Sequence, residues 1–213
     1  MIGTDGIRFA IEWIDEQDGE RFDTLAVVRI DLDGQPIWPV WGDATTDLDV
    51  FADDILAFLT ENWKKLLLEQ HYPGSLQPNG PSQLSALAEE VAEDKPRVIA
   101  DTLHSSVVSF ENAHNLARAI AGQFELPSLW MIRQGDCMII ETGGRTVRIA
   151  ADAWIAKTSE FGEAIASRLR MRLPDKYGRL LAAWDARNEG DPISILSVSG
   201  ASDRCSRRGG TYA

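Results

Sequence analysis

The chain has 213 residues, 44% of them hydrophobic and 25% charged, and a formal net charge of -12. This composition is typical of a globular protein with one large domain or two small ones. No apolar run approaches the roughly eighteen residues that a membrane-spanning helix needs, and the first residues lack the pattern of a signal peptide. Cys137 and Cys205 lie far apart in sequence, so no disulfide framework is expected. We expect a cytoplasmic protein without a membrane segment.

The acidic residues are concentrated near the N terminus. Residues 1–58 contain fourteen Asp and Glu residues against three Arg residues, which accounts for -11 of the net charge. Such a field repels the phosphates of nucleic acids and attracts basic partners or cations. We therefore expect a solvated acidic surface here, and we do not expect the N-terminal part to bind nucleic acid.

The first elements are predicted to form a small antiparallel meander. The segment IRFAIEWI (7–14) alternates between apolar and polar positions, which indicates a half-buried strand. The segment TLAVVRIDLDGQPIWPVWG predicts a second strand, a turn at Asp33-Gly34 and a short third strand that Pro39 interrupts. An amphipathic helix is predicted to follow from Thr46, with Asp47 as its cap, and to end near His71.

A boundary is predicted in PGSLQPNGPS (73–82), because proline and glycine interrupt regular structure there. A short helix is predicted in QLSALAEEVAED. The next segment, RVIADTLHSSVVSF, fits either a strand or a buried connector. Ser109 is then predicted to cap a helix in FENAHNLARAIAG that stops at Gly122.

Three apolar runs, LWMIRQ, DCMIIET and RTVRIA, are joined by Gly135-Asp136 and Gly143-Gly144. Tight turns between apolar runs predict a three-stranded antiparallel meander. Two helices are predicted to follow, one capped by Ser159 and one that starts at Leu173-Pro174-Asp175.

The predicted fold class is therefore α+β: two small antiparallel β-meanders packed with amphipathic helices, followed by a disordered basic C-terminal tail. The predicted units are an acidic meander with a helix (1–72), a linker with a short helix (73–97), a second unit with the three-stranded meander (98–187) and the tail (188–213).

No set of residues in the sequence predicts catalysis, a metal site or a cofactor. None of His71, His104 and His114 has a second histidine four residues away, the spacing with which one helix holds zinc. Position 118, where a partner of His114 would stand, is arginine. No serine lies in a glycine-flanked nucleophile elbow. We therefore predict no catalytic residues, no metal ligands and no cofactor.

Binding of a protein partner is the favoured function. Trp38 and Trp41 flank Pro39, where ring faces can be left exposed, and Asp43 follows them; these three residues are the predicted partner-binding site. The alternative is an enzyme of unrecognised type that uses His104, His114 and Glu141 as acid-base groups.

The order FLTENWKKLLLEQHYP, a linker, an AHNLARA helix, LPSLWMIRQGDCMIIET and FGEAIASRL resembles the N-terminal accessory region of large ImmA/IrrE-type zinc metallopeptidases, over about residues 48–187. In that family a HExxH helix of a downstream domain holds the zinc, and this sequence has no such motif. The resemblance implies a sensor or accessory module of a bacterial stress-response or mobile-element protein, with a peptidase domain or a regulator as its partner.

Overall fold

The computed structural model describes residues 6–17, 20–41, 44–45, 49–120 and 126–189. Within these ranges helices and antiparallel sheets occur in separate parts of the chain, which confirms the predicted α+β class. Gly122, Asp47, Cys205 and the predicted tail from residue 190 onward lie outside the described residues.

The N-terminal sheet forms as predicted. Strands β1 (Ile7–Trp13) and β4 (Leu25–Leu32) pair antiparallel. Two short strands, β2 (Glu16–Gln17) and β3 (Glu20–Arg21), pair with each other in the segment that connects them. Asp33 and Gly34 both have positive φ, so the chain turns directly into β5 (Gln35–Trp38). The alternating apolar residues of β1 face a helix, since Phe9 stacks on Phe161 at 5.1 Å.

The first helix begins later than the sequence predicted. A cis peptide bond precedes Pro39, and the short strands β6 (Val40–Trp41) and β7 (Ala44–Thr45) pair with each other. Residues Asp49–Phe51 form strand β8 beside β4, and α1 (Ala52–Leu68) starts only after it. Ala52 donates its backbone N–H to Thr24 at 2.8 Å, which joins the start of the helix to the sheet.

The connector after α1 is ordered. It contains two single 3-10 turns, Pro73–Ser75 and Pro81–Gln83, and leads into the predicted short helix α2 (Leu84–Ala92). The following segment is neither a strand nor a connector, because it forms the long helix α3 (Arg97–His114). The hydroxyl groups of Thr102, Ser105 and Ser106 each donate a hydrogen bond to the backbone carbonyl four residues earlier in this helix. The buried side of α3 packs on α1 and α2.

The predicted single helix around His114 is divided in two. α3 ends at His114, Asn115 is extended, and α4 (Leu116–Ile120) follows. The Asn115 side chain accepts backbone N–H groups of Ala117 and Leu129, and its backbone bridges to Trp130. Asn115 thereby fastens the end of α3 to the second sheet.

The second sheet is the predicted meander, formed by β9 (Trp130–Gln134), β10 (Cys137–Thr142) and β11 (Arg145–Ala150) in the order β11-β10-β9. Its turn glycines, Gly135, Gly143 and Gly144, have positive φ, as tight hairpin turns require. Helix α5 (Ala151–Arg172) begins directly after β11, eight residues before the predicted cap Ser159, and α6 (Pro174–Ala186) starts where predicted.

One large core joins the two predicted units. It contains residues of the first sheet and α1 together with residues of the second sheet, α5 and α6. Its centre is a group of fully buried tryptophans, in which Trp63 stacks on Trp154 and meets Trp184 edge-on. A smaller cluster lies between α2, α3 and β9 and includes Leu84, Phe110 and Trp130. No helix of the described ranges has the length and apolar character to cross a membrane.

Candidate functional site

One of the two predicted partner-binding tryptophans, Trp38, is not exposed. Trp38 is fully buried, and its indole Nε1 donates a hydrogen bond of 2.8 Å to the carbonyl of Pro127. Trp38 is therefore part of the core, which corrects the expectation of an exposed ring. Trp41 lies in β6 with its side chain outside the described part of the structure, and Asp43 is outside the described residues altogether.

The three residues of the enzyme alternative occupy three different environments. His104 is exposed on α3, His114 is fully buried at the end of that helix, and Glu141 is buried in β10. Glu141 accepts the backbone N–H of Ser82 at 3.2 Å and so holds the connector against the sheet. No hydrogen bond or ion pair joins any two of these three described residues, and none of them lines the groove described next.

An open groove is lined by the C-terminal half of α1, by α3 and by the 3-10 turn at Pro73–Ser75. We call it the α1–α3 groove, and its volume is about 820 Å³. Its lining residues come from α1 and the residue after it, from the 3-10 turn, and from one face of α3: Lys65, Glu69, Pro73, Gly74, Val98, Asp101, Thr102, Ser105, Ser106, Ser109 and Phe110. Such a groove has the size of a site for a side chain or a short peptide segment.

The α3 wall of the groove combines hydroxyl groups with exposed aliphatic side chains. The hydroxyls of Ser105 and Ser106 already bond to backbone carbonyls, so their oxygens keep lone pairs that can accept further donors. Val98, a lining residue, is 76% exposed, and Ile99 next to it in the sequence is 53% exposed. Adjacent exposed aliphatic residues beside a groove are a feature of protein-binding surfaces.

His114 does not line the groove, but it contacts the lining residue Phe110. The imidazole stacks on the Phe110 ring with centroids 4.0 Å apart and donates from Nδ1 to the Phe110 carbonyl at 2.9 Å. Because Nδ1 carries the proton, Nε2 of the neutral ring is an acceptor. Nε2 is buried without a hydrogen bond, and it lies 3.9 Å from Oε2 of Glu69.

The neutral form of His114 is favoured by its surroundings. Burial lowers the pKa of His114 below 6.5, although the Phe110 carbonyl, the Glu69 carboxylate and the Lys65 carbonyl favour the protonated ring. These carbonyls belong to the last turns of α3 and α1, whose negative ends attract a cation. The ammonium of Lys65 opposes them. Burial outweighs the groups that favour the protonated ring, so the folded chain favours the neutral form of His114.

The sequence did not predict this site, because it depends on residues about forty positions apart. The sequence predicted only that His114 lies in a helix. No sequence motif singled out Glu69 or Val98. The orphaned Nε2 is visible only after α1 and α3 are packed together. Among the described residues, no group of three or more His, Cys, Asp or Glu side chains is placed to hold a metal ion.

Comparisons with protein-family models, curated proteins and solved structures found no match for this chain. The similarity to the accessory region of ImmA/IrrE-type peptidases stays a prediction from the sequence.

Proposed function

We propose that the chain is a non-enzymatic binding or regulatory module that holds a segment of a protein partner in the α1–α3 groove. The observation that carries this proposal is the open groove of about 820 Å³ with the exposed side chain of Val98 among its lining residues. A bound segment would cover the aliphatic side chains and supply donors to the hydroxyl and carboxylate oxygens of the walls.

The acidic character of the chain supports a partner segment with basic residues. The net charge of -12 steers cationic surfaces toward the protein and increases their rate of association. Glu69 and Asp101 bring carboxylates to the groove itself. The resemblance noted in the sequence adds the proposed context: a cytoplasmic sensor module whose partner is a zinc peptidase domain or a regulator.

The experiment compares what three versions of the chain retain from a lysate of the native host: wild type, Val98→Asp and Met171→Asp. Met171 is 75% exposed on α5 and outside the groove, so it is the matched control. We expect Val98→Asp to reduce recovery of the partner about tenfold, because a carboxylate would replace an apolar contact. Mass spectrometry then shows whether that partner is a peptidase or a regulator. Equal recovery by all three versions would refute the proposal.

A further inference from the structure

We propose that the outer edge of strand β1 is an interface between two copies of this chain, in which β1 of one copy pairs antiparallel with β1 of the other. Within the described residues β4 is the only strand that pairs with β1, so the opposite edge of β1 has no strand beside it. No residue of β1 lines the α1–α3 groove, and the inference is therefore independent of the proposed function.

The backbone groups on the outer edge belong to the odd-numbered residues of β1. Asp33 donates its backbone N–H to the carbonyl of Gly6, and Ile14 donates to the carbonyl of Leu25. These two bonds show that the even-numbered residues are the ones that bond to β4, because hydrogen-bonded positions alternate in an antiparallel pair. The N–H and C=O groups of the odd-numbered residues therefore point away from β4, and such edge groups are a template for another strand.

Helix α5 contacts one face of β1 through the side chains of odd-numbered residues. Phe9 stacks on Phe161, and the guanidinium of Arg168 lies over the Trp13 ring at 4.5 Å. Side chains leave a sheet roughly perpendicular to its plane, whereas the edge N–H and C=O groups lie in the plane. Phe9, Ile11 and Trp13 remain half-buried, so this face of β1 keeps apolar surface that a neighbouring strand can cover.

The sequence of β1 is complementary to itself in the register that aligns its full length. An antiparallel second copy centred on Ala10 places Arg8 opposite Glu12 on one face, and Phe9 opposite Ile11 on the other. Opposite charges, and aromatic residues facing β-branched ones, are stabilising cross-strand pairs. In this register odd-numbered residues face odd-numbered residues, so their outward N–H and C=O groups can bond to each other. Two-fold symmetry gives each of these pairs twice.

Other alignments of the two strands lose these pairs. A parallel copy would bring Arg8 next to Arg8 and Glu12 next to Glu12, which like charges disfavour. A shift by two residues would place Arg8 opposite Ala10 or Ile14. Both Arg8 and Glu12 are exposed, and neither forms an ion pair with another described residue. The full-length antiparallel register is therefore the arrangement that gives both side chains a partner of opposite charge.

The test measures dimerisation of the full chain by sedimentation velocity at about 1 to 200 μM. An ionic strength of about 0.15 M is used, because the Debye length is then about 8 Å and the repulsion between two copies of net charge -12 is screened. We expect wild type to dimerise, and Arg8→Glu or Glu12→Arg to weaken the dimer roughly tenfold, since each places like charges opposite one another. Arg179→Glu, exposed on α6, is the matched control for net charge and should have no effect.

A mixture of the two weakened variants tests the register itself. When Arg8→Glu is mixed with Glu12→Arg, opposite charges again face each other across the interface, and we expect heterodimers to form about as tightly as wild type. This recovery would also show that both variants are folded. Hydrogen exchange reads the same edge: the Phe9 and Ile11 amides should exchange faster in the dilute monomer than in the dimer, whereas the Ala10 and Glu12 amides, which bond to β4, should be slow in both.

Three results would overturn the proposal. The chain could stay monomeric at about 200 μM. Its dimers could be as tight in Arg8→Glu as in Arg179→Glu, which would place the interface elsewhere. The Phe9 and Ile11 amides could already be slow in the dilute monomer, which would mean that another segment of the same chain pairs with the outer edge of β1.

Discussion

Gly162 of α5 lies directly beneath the indole ring of Trp184 on α6, and a Cβ atom at position 162 would overlap that ring. Trp184 is fully buried and belongs to the tryptophan centre of the core. The close approach of α5 and α6 therefore depends on a glycine inside a helix, where its backbone freedom otherwise costs stability.

Gly162→Ala is predicted to destabilise the fold by about 1 to 3 kcal/mol, because the rigid ring of Trp184 must move. Gly178→Ala is the matched control, since Gly178 lies in the interior of α6 with open space around its Cα. That change should stabilise the fold by about 0.5 to 1 kcal/mol through helix propensity. Urea denaturation of both variants measures the two signs. A stabilising Gly162→Ala would contradict the described packing.

The hydrogen bond of Trp38 gives a second prediction. Trp38→Phe removes the donor to the Pro127 carbonyl along with part of the ring. Trp130→Phe removes a similar volume from a buried site, but the Nε1 of Trp130 has no hydrogen-bond partner. Trp38→Phe should therefore cost about 1 to 2 kcal/mol more than Trp130→Phe in chemical denaturation. Equal losses would mean that the Trp38 bond adds nothing to stability.

The burial of Trp38 shows where sequence reasoning reaches its limit. The pattern around Asp33-Gly34 was sufficient to predict the hairpin there, and the turn glycines were sufficient to predict strands β9 to β11. Both features depend only on residues that are close in sequence. The environment of Trp38 depends on Pro127, which is 89 positions away. A tryptophan next to a proline has the same local pattern whether its ring is covered or exposed.

The error at α3 has a local cause. The segment from Arg97 contains hydroxyl and β-branched residues, which have low intrinsic helix propensity. In the folded chain Val107 and Phe110 are buried in the smaller cluster, and this packing outweighs the weak propensity. The α1–α3 groove could not be predicted for the same reason, because it exists only where that helix meets α1.

Glu141 is predicted to hold the connector in place. Its carboxylate accepts the N–H of Ser82, and Gly80 packs against the same carboxylate so closely that a Cβ would lie 2.5 Å from Oε2. Glu141→Ala should expose the Ser82 amide and increase its hydrogen-exchange rate roughly tenfold or more, which corresponds to about 1 to 3 kcal/mol. Glu141→Gln keeps an acceptor oxygen and should protect the amide better. Identical exchange in both variants would contradict this role.

The burial of neutral His114 predicts a dependence of stability on pH. The pKa of His114 is below 6.5 in the folded chain, so the unfolded chain binds a proton more readily. The free energy of unfolding should therefore fall as pH decreases from about 6.5 to the lower folded pKa, with a slope of at most about 1.4 kcal/mol per pH unit from this group. Above about pH 7 this group adds no slope.

This slope is measured by chemical denaturation at several pH values between about 5 and 8, the interval in which histidine ordinarily titrates. His114→Gln should reduce the slope, because the variant has no imidazole at this position to take up a proton on unfolding. A slope that is the same in wild type and His114→Gln would show that the ring titrates equally in both states.

The central claim is that the α1–α3 groove holds a segment of a protein partner, and photo-crosslinking tests it most directly. A benzophenone side chain is placed at Ser105, which lines the groove, or at Met171, which does not, and the cells of the native host are irradiated. We expect a discrete crosslinked protein from position 105 that disappears when Val98→Asp is added, and none from position 171. Crosslinks of equal yield from both positions, or a crosslink at 105 that Val98→Asp leaves unchanged, would contradict it.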